Sequence, residues 1–402
     1  MTNVSGNNFT MNSSSLSAYQ SLEEFRYYTV GVILTPISIF GILGNILSIF
    51  VLSCPEMKSN FNQLLICLAS FDLVYLQLSF AIFAMPTLSV WYTETLFPYI
   101  MPIGYAVAHI GRVGSVFVTL SVTIERFVAI AYPMRKTNLK NSLIMASVFG
   151  SIVYNLPRFF ELEMVQVDVL DPETKANVTV NRIAPTELRF NKLYVQIYVV
   201  WMKFFLVELL PYVIICVLNF VMIVKIREAM KLQKEMTISR QPSLESQKKE
   251  FNMALVLVCI VFMFIACQSI KIIPDVYEAM VCDYSKTDTS CESTTTIERI
   301  VSISYVLLAL NSASNFVIYM LRGNKFRRVL SRKLCQFFGY KPSSQFDSPR
   351  IGNSDSQSHH TRHNVIALTT TATTEMGHTP VQPHRSLIKF HSTRHESPIQ
   401  MV

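Results

Sequence analysis

Seven long apolar runs divide the chain, separated by short polar segments. The first, Tyr28–Leu52, contains no charge, and the second, Phe61–Val90, contains one, Asp72. The third, Leu96–Ala131, carries Arg112 in one half and Glu125-Arg126 at the opposite end. Asn141–Leu156 is the shortest and meets no charge before Arg158; Leu193–Val224 includes Lys203 and Glu208; Phe251–Ile273 and Ile300–Leu321 complete the set. A run of about 20 apolar residues crosses a hydrocarbon core as a helix. Backbone amides in lipid must be satisfied within their own segment, and the alternating segments of a closed barrel are absent. The pattern therefore predicts an all-α, seven-transmembrane helix bundle over residues 28–323. A basic amphipathic stretch, 324–338, predicts a short eighth helix lying on the membrane surface. Residues 339–402 are rich in Ser, Thr, His and Pro and are predicted to be a disordered tail, with Ser/Thr clusters such as Thr369–Thr374 open to phosphorylation.

Composition supports this division. Half of the 402 residues are hydrophobic and only 15% are charged, whereas soluble domains carry about 25% charged residues; a soluble globular enzyme is excluded. The loops after spans one, three, five and seven hold 17 Lys and Arg, while the opposite side holds 8 basic against 15 acidic residues. Basic residues stay inside, so the N-terminus is expected outside and the C-terminus inside. The net charge of +8 is then a topology signal, with no indication of nucleic-acid binding. The glycosylation sequons at Asn3, Asn8, Asn12 and Asn177 all fall on the expected outer side, and residues 1–27 lack the apolar core of a cleavable signal. Two of the eight cysteines, Cys282 and Cys291, lie in the expected outer loop after span six, where they are read as a disulfide or as two free thiols. Cys335, in the amphipathic stretch, reads as a palmitoylation site or as a small buried residue.

Polar groups within the spans fall in a particular order: Gly44-Asn45, Leu68–Leu73 around Asp72, Glu125-Arg126-Phe127 with Pro133, Leu210-Pro211-Tyr212, Phe264 with Cys267, and Asn315–Tyr319. Together they resemble the rhodopsin-like G-protein-coupled receptors from about Tyr28 to Cys335. Finer matches, Tyr154–Glu161, Asn311–Tyr319, Gly114-Ser115 and Val276-Tyr277-Glu278, resemble the FMRFamide-type neuropeptide receptors of invertebrates. Several positions depart from the family pattern. Met101 stands where the family has a cysteine, the second outer loop has none, and the span-four tryptophan is missing. The span-six turn reads Cys267-Gln268-Ser269-Ile270 with its proline displaced to Pro274, which moves the expected hinge outward.

The resemblance implies a plasma-membrane receptor, in neuronal or muscle cells, for an extracellular amidated FMRFamide-like peptide. It would transmit binding to a heterotrimeric G protein and meet receptor kinase and arrestin through its tail. A receptor for another amidated peptide, such as a myosuppressin, and a seven-span transporter or channel are the competing readings. The lysine of a retinal receptor and the aspartate of an amine receptor are replaced by Ala309 and Ala108, and no catalytic constellation is visible. Candidate ligand contacts are His109, Arg112, Lys203, Glu208, Gln268 and Lys271, because charges at membrane depth need partners; neutralisation of Glu208 by one of the bases is the alternative. Glu161, Glu208, Asp275 and Glu278 are the carboxylates expected to meet a ligand arginine, with the terminal amide at Gln268 or near Arg112 and Lys271. The resemblance further implies a sodium ion on Asp72, Ser115, Asn311 and Asn315, against a dry network of Asn45, Asp72 and Asn315. It assigns coupling and activation to Glu125, Arg126, Asn315 and Tyr319, with Asn219 in place of the usual span-five tyrosine. No cofactor beyond the sodium ion is expected.

Overall fold

The structure, a computed structural model, describes residues 13–132, 139–170, 177–235, 258, 260–281 and 294–337. Among these, six helices are long and apolar enough to cross a membrane: Leu16–Leu52, Asn60–Leu88, Phe97–Ala131, Leu139–Phe160, Lys192–Lys225 and Thr295–Arg322. The sixth predicted span appears as the shorter apolar helix Ile260–Pro274, since residues 251–257 and 259 lie outside the described residues. The basic segment Asn324–Phe337 forms a separate helix after span seven.

Local chemistry explains where the spans bend. π-helical segments cover Tyr27–Ile33, Phe80–Ala84 and Val195–Leu209. Pro36, Pro86 and Pro211 each follow within three residues. Proline has no N–H to close the preceding turn, and its ring crowds the carbonyl four residues back, so the ladder widens there. Ser59 caps span two by accepting from Asn62 N at 3.1 Å, and Thr294 does the same for span seven through Ile297 N.

Two elements add to the sequence-based expectations. Helix already runs over Ser13–Arg26, within the stretch expected to be the glycosylated N-terminal segment. Arg299 at the start of span seven holds it, donating to Ser21 Oγ at 2.8 Å and lying over the Phe25 ring. Between spans four and five, Leu162–Leu170 (β1) and Asn177–Pro185 (β2) form an antiparallel hairpin, with Leu162 opposite Pro185 and Leu170 opposite Asn177. The bundle is all-α as expected, and this hairpin is confined to the connection. Val165, Val167 and Val169 alternate with polar neighbours, a period-two pattern of β-branched residues that favours a strand.

Fully buried polar groups lie inside the bundle among a core of aliphatic and aromatic side chains, and further large apolar side chains cover its outside. Asn45, Ser48, Asp72 and Thr123 have no exposed surface, whereas Phe149, Phe220 and Phe262 are each 69% exposed. Water would penalise so large an apolar surface, and lipid does not. Spans two and three approach closely because glycine lines the contact. A Cβ added at Gly114 would fall 2.3 Å from the Phe71 ring, and one at Gly111 would fall 3.0 Å from the backbone nitrogen of Tyr75. We expect Gly114→Ala to destabilise the bundle by about 1–3 kcal/mol through overpacking, with Phe71→Leu in the same chain restoring part of the loss. Thermal unfolding of detergent-solubilised protein tests this; an unaltered midpoint in the single variant would refute the tight contact.

Candidate polar sites of the bundle

Four polar centres lie through the interior, from the hairpin end to the end that bears the amphipathic helix. At the hairpin end, Arg158 lies 3.5 Å from both carboxylate oxygens of Glu161, and both side chains are almost completely buried. Glu161 also accepts from Tyr194 Oη at 2.6 Å, and Arg158 donates to Tyr105 Oη at 3.1 Å. The guanidinium sits between the Tyr105 and Tyr198 rings, 5.7 and 5.6 Å from their centroids, an arrangement that favours a cation through the ring quadrupoles. Tyr198 in turn donates to the Tyr154 carbonyl at 2.6 Å. His109 adds a contact of 2.9 Å between Nδ1 and the Tyr105 carbonyl.

One level further in, Arg112 of span three donates to Glu208 Oε1 of span five at 3.0 Å, with side chains 8% and 2% exposed. Neutralisation of Glu208 by one of the bases is thus realised. Lys203 is half-buried in span five. Lys271 is half-buried near the end of span six, its ammonium 5.7 Å from the Tyr305 ring centre. Gln268 is buried where span six tightens into a 3-10 turn, Ser269–Lys271, three residues before Pro274. Asp275 and Glu278 lie on the helix Ile272–Val281 that follows.

At the centre, Asp72 accepts from Ser115 Oγ at 2.8 Å and Ser312 Oγ at 2.9 Å through one oxygen, and from Asn315 Nδ2 at 2.7 Å through the other. Asn45 does not bond Asp72 itself; it donates to the Ser312 carbonyl at 3.0 Å. Asn311 is buried beside this network, and its carbonyl accepts from Ser314 Oγ. At the far end, Glu125 grips Arg126 with both oxygens, Oε2 from Nε at 2.6 Å and Oε1 from an Nη at 2.8 Å. The guanidinium also lies 4.5 Å from the Phe61 ring centroid. The Tyr319 hydroxyl and Asn219 Oδ1 are both buried without a hydrogen-bond partner among the described residues.

The comparisons with known proteins agree with a seven-span bundle. Residues 33–336 match the family described as serpentine type 7TM GPCR chemoreceptor Srw. The chain belongs to the serpentine seven-transmembrane G-protein-coupled receptors. It is 29% identical over 315 residues to the FMRFamide receptor of Drosophila melanogaster, covering 76% of this chain and 53% of the relative. It is 24% identical over 335 residues to the probable G-protein coupled receptor frpr-1 of Caenorhabditis elegans, covering 77% and 79%. The FMRFamide peptide receptor frpr-18 of the same nematode is 27% identical over 307 residues, covering 73% and 66%. The chain thus spans about half the length of the Drosophila receptor that it matches.

Reading the receptor's sequence missed Arg158, Tyr105, Tyr194, Tyr198 and Ser312. Two of them were within reach: Arg158 stands three residues before Glu161, and Ser312 three before Asn315, so each pair shares a helix face. The tyrosines come from other spans and gave no local signal. Asn177 is exposed at the start of β2, and Cys335 is a half-buried free thiol. Asn3, Asn8, Asn12, Cys282 and Cys291 lie outside the described residues.

With Met101 in place of a cysteine, noncovalent ties fasten the receptor's hairpin segment. Thr186 N donates to the Glu161 carbonyl at 3.0 Å, Asn181 Nδ2 donates to Tyr99 Oη at 2.9 Å, and the Arg158–Glu161 pair joins spans three and five beneath them. Removing one member of a buried ion pair strands the other, at a cost of roughly 3–5 kcal/mol. Arg158→Met should therefore lower the unfolding midpoint sharply, and adding Glu161→Gln should recover much of it. Equal stability of the single and double variants would show that the pair is not coupled.

Proposed function

We propose that this receptor binds an amidated FMRFamide-like neuropeptide at the hairpin end of the bundle and passes the signal to a heterotrimeric G protein at the other. The observation that carries the reading is the Arg112–Glu208 pair, a charged group from each of two helices buried at the depth where a peptide terminus would reach. The relatives named for FMRFamide supply the ligand class. The hairpin end then faces outward, with Asn177 placed for glycosylation, and the basic helix Asn324–Phe337 lies on the inner membrane surface, where Cys335 is positioned for acylation. The acidic helix carrying Asp275 and Glu278 would attract a cationic peptide. Glu161 and Glu208 each already hold an arginine, so we assign the ligand's guanidinium to Asp275 or Glu278.

Binding would shift a two-state equilibrium. In the resting state Glu125 holds Arg126 through two charge-assisted hydrogen bonds. In the signalling state the arginine is released toward the G protein. Tyr319 and Asn219 each keep an unmet polar atom, and a direct or water-bridged bond between them would stabilise the open form. The tail beyond Phe337 would meet receptor kinase and arrestin.

A sodium ion fits the Asp72 centre by chemistry. A carboxylate, two hydroxyls and an amide are hard oxygen donors, and Asn45 Oδ1 is a further buried oxygen in the same network, without a partner among the described residues. A bound cation would offset the charge of Asp72 and favour the closed packing of spans two, three and seven.

Two measurements test these assignments. In cells carrying a promiscuous G-protein reporter, an Arg-Phe-amide peptide should activate the receptor, and Arg126→Ala should abolish the signal while leaving peptide binding at the cell surface within about three-fold. Undiminished signalling from a surface-expressed Arg126→Ala variant would remove the inner-end mechanism. Agonist affinity should fall as sodium replaces a large organic cation, and Asp72→Asn should remove that dependence. A wild-type receptor insensitive to sodium would leave the Asp72 network purely structural.

A further inference from the structure

Hydrogen-bond accounting in the interior leaves two acceptors over at one level of the bundle. Glu208 gives Oε1 to Arg112, but its Oε2 has no partner among the described residues, and neither has Gln268 Oε1. The two side chains are 1% and 4% exposed, so water does not readily meet the deficit, and a buried acceptor left unpaired is costly. Their relative position follows from a contact one turn away. Tyr212 of span five and Phe264 of span six meet edge to face at 5.1 Å. The two spans run in opposite directions, so four residues toward the hairpin end on each lead to Glu208 and Gln268. One turn on from that contact along each span, the two acceptors stand at about one height in the bundle.

We propose that Glu208 and Gln268 together read the terminal carboxamide of the peptide, each accepting one of its two N–H donors. This rests on the amidated-peptide reading above. The charge balance selects the group. Arg112 already neutralises Glu208, so a second guanidinium beside it would meet repulsion, whereas a neutral amide does not. A free carboxylate would bring no donor to either acceptor and would set its charge against that of Glu208. A carboxamide supplies two donors for the two acceptors, and its carbonyl remains for a basic side chain. Glu208 thereby recognises the amide, leaving the ligand's arginine to the acidic helix outside. Gln268 also precedes the 3-10 turn Ser269–Lys271 and Pro274, so the ligand's end would bear directly on the break in span six.

The test compares Phe-Met-Arg-Phe as its amide, methyl ester and free acid on surface-quantified receptors with a G-protein reporter. The ester is neutral and nearly the size of the amide but has no N–H, so it separates donors from charge. On the wild-type receptor the amide should exceed the ester in potency by about ten-fold or more, and the acid should be weaker still. In Gln268→Met the amide should lose its advantage, falling to within about three-fold of the ester. Glu208→Gln, which keeps size and removes charge, should narrow the amide-to-acid ratio. A wild-type receptor that responds equally to amide and ester overturns the inference without any variant, and so does an unchanged amide-to-ester ratio in a surface-expressed Gln268→Met. In both cases activation by the amide leaves the peptide-receptor reading intact. If none of the three peptides activates the wild-type receptor, the FMRFamide reading and the inference built on it fall together.

Discussion

A carboxylate with no contact to water, Asp72, sits where spans two, three and seven meet. In lipid the helices gain little from hiding apolar side chains, since the hydrocarbon outside is equally apolar. What specifies their arrangement is the need to satisfy polar groups and to pack small residues. Asp72 demands donors, and Ser115, Ser312 and Asn315 supply them from two other spans. Asn45 extends the demand to span one through the Ser312 carbonyl. Gly111 and Gly114 allow spans two and three to approach closely enough for Ser115 to reach. The centre of the bundle is thus held by hydrogen bonds that tie spans one, two, three and seven together.

The same logic operates at the two ends with charge added. Toward the hairpin, Arg158 and Glu161 neutralise each other inside a group of tyrosines, and the segment leading into β1 and out of β2 is bonded to them. A receptor without a covalent tie at Met101 is thereby given a rigid seat for its hairpin, built from aromatic and ionic contacts. Toward the amphipathic helix, Glu125 and Arg126 make two short bonds between neighbouring residues of one helix. Such a pair costs little backbone rearrangement to open, which suits a switch. The Arg112–Glu208 pair joins spans three and five, and the Arg158–Glu161 pair reaches the same two spans through Tyr105 and Tyr194, which suits a scaffold.

Proline positions connect these centres to motion. The π segments before Pro36, Pro86 and Pro211 loosen three spans near one end, while span six tightens at Ser269–Lys271 before Pro274. In each case the missing N–H is known from the chain alone, yet the response differs. Whether a helix widens or tightens depends on the neighbours that fill or crowd the extra space.

What could be read without a structure was what each segment carries by itself. Apolar length placed the spans; for the sixth, the described residues hold only Ile260–Pro274. The motif around Asp72 and the spacing of Glu125-Arg126 marked two centres whose geometry then proved compact. The valine alternation in Met164–Val169 was also present in the chain, in the connection between spans four and five that the bundle reading left undescribed. The pairing of charges was not legible. Glu161 and Glu208 look alike as ligand acceptors in sequence, but each already holds an arginine, and the partner of Glu208 is 96 residues away. Hydrophobicity and helix-breaking chemistry are local, so a sequence determines them one segment at a time. A buried charge is defined by whatever stands opposite it, and only the packed bundle decides that.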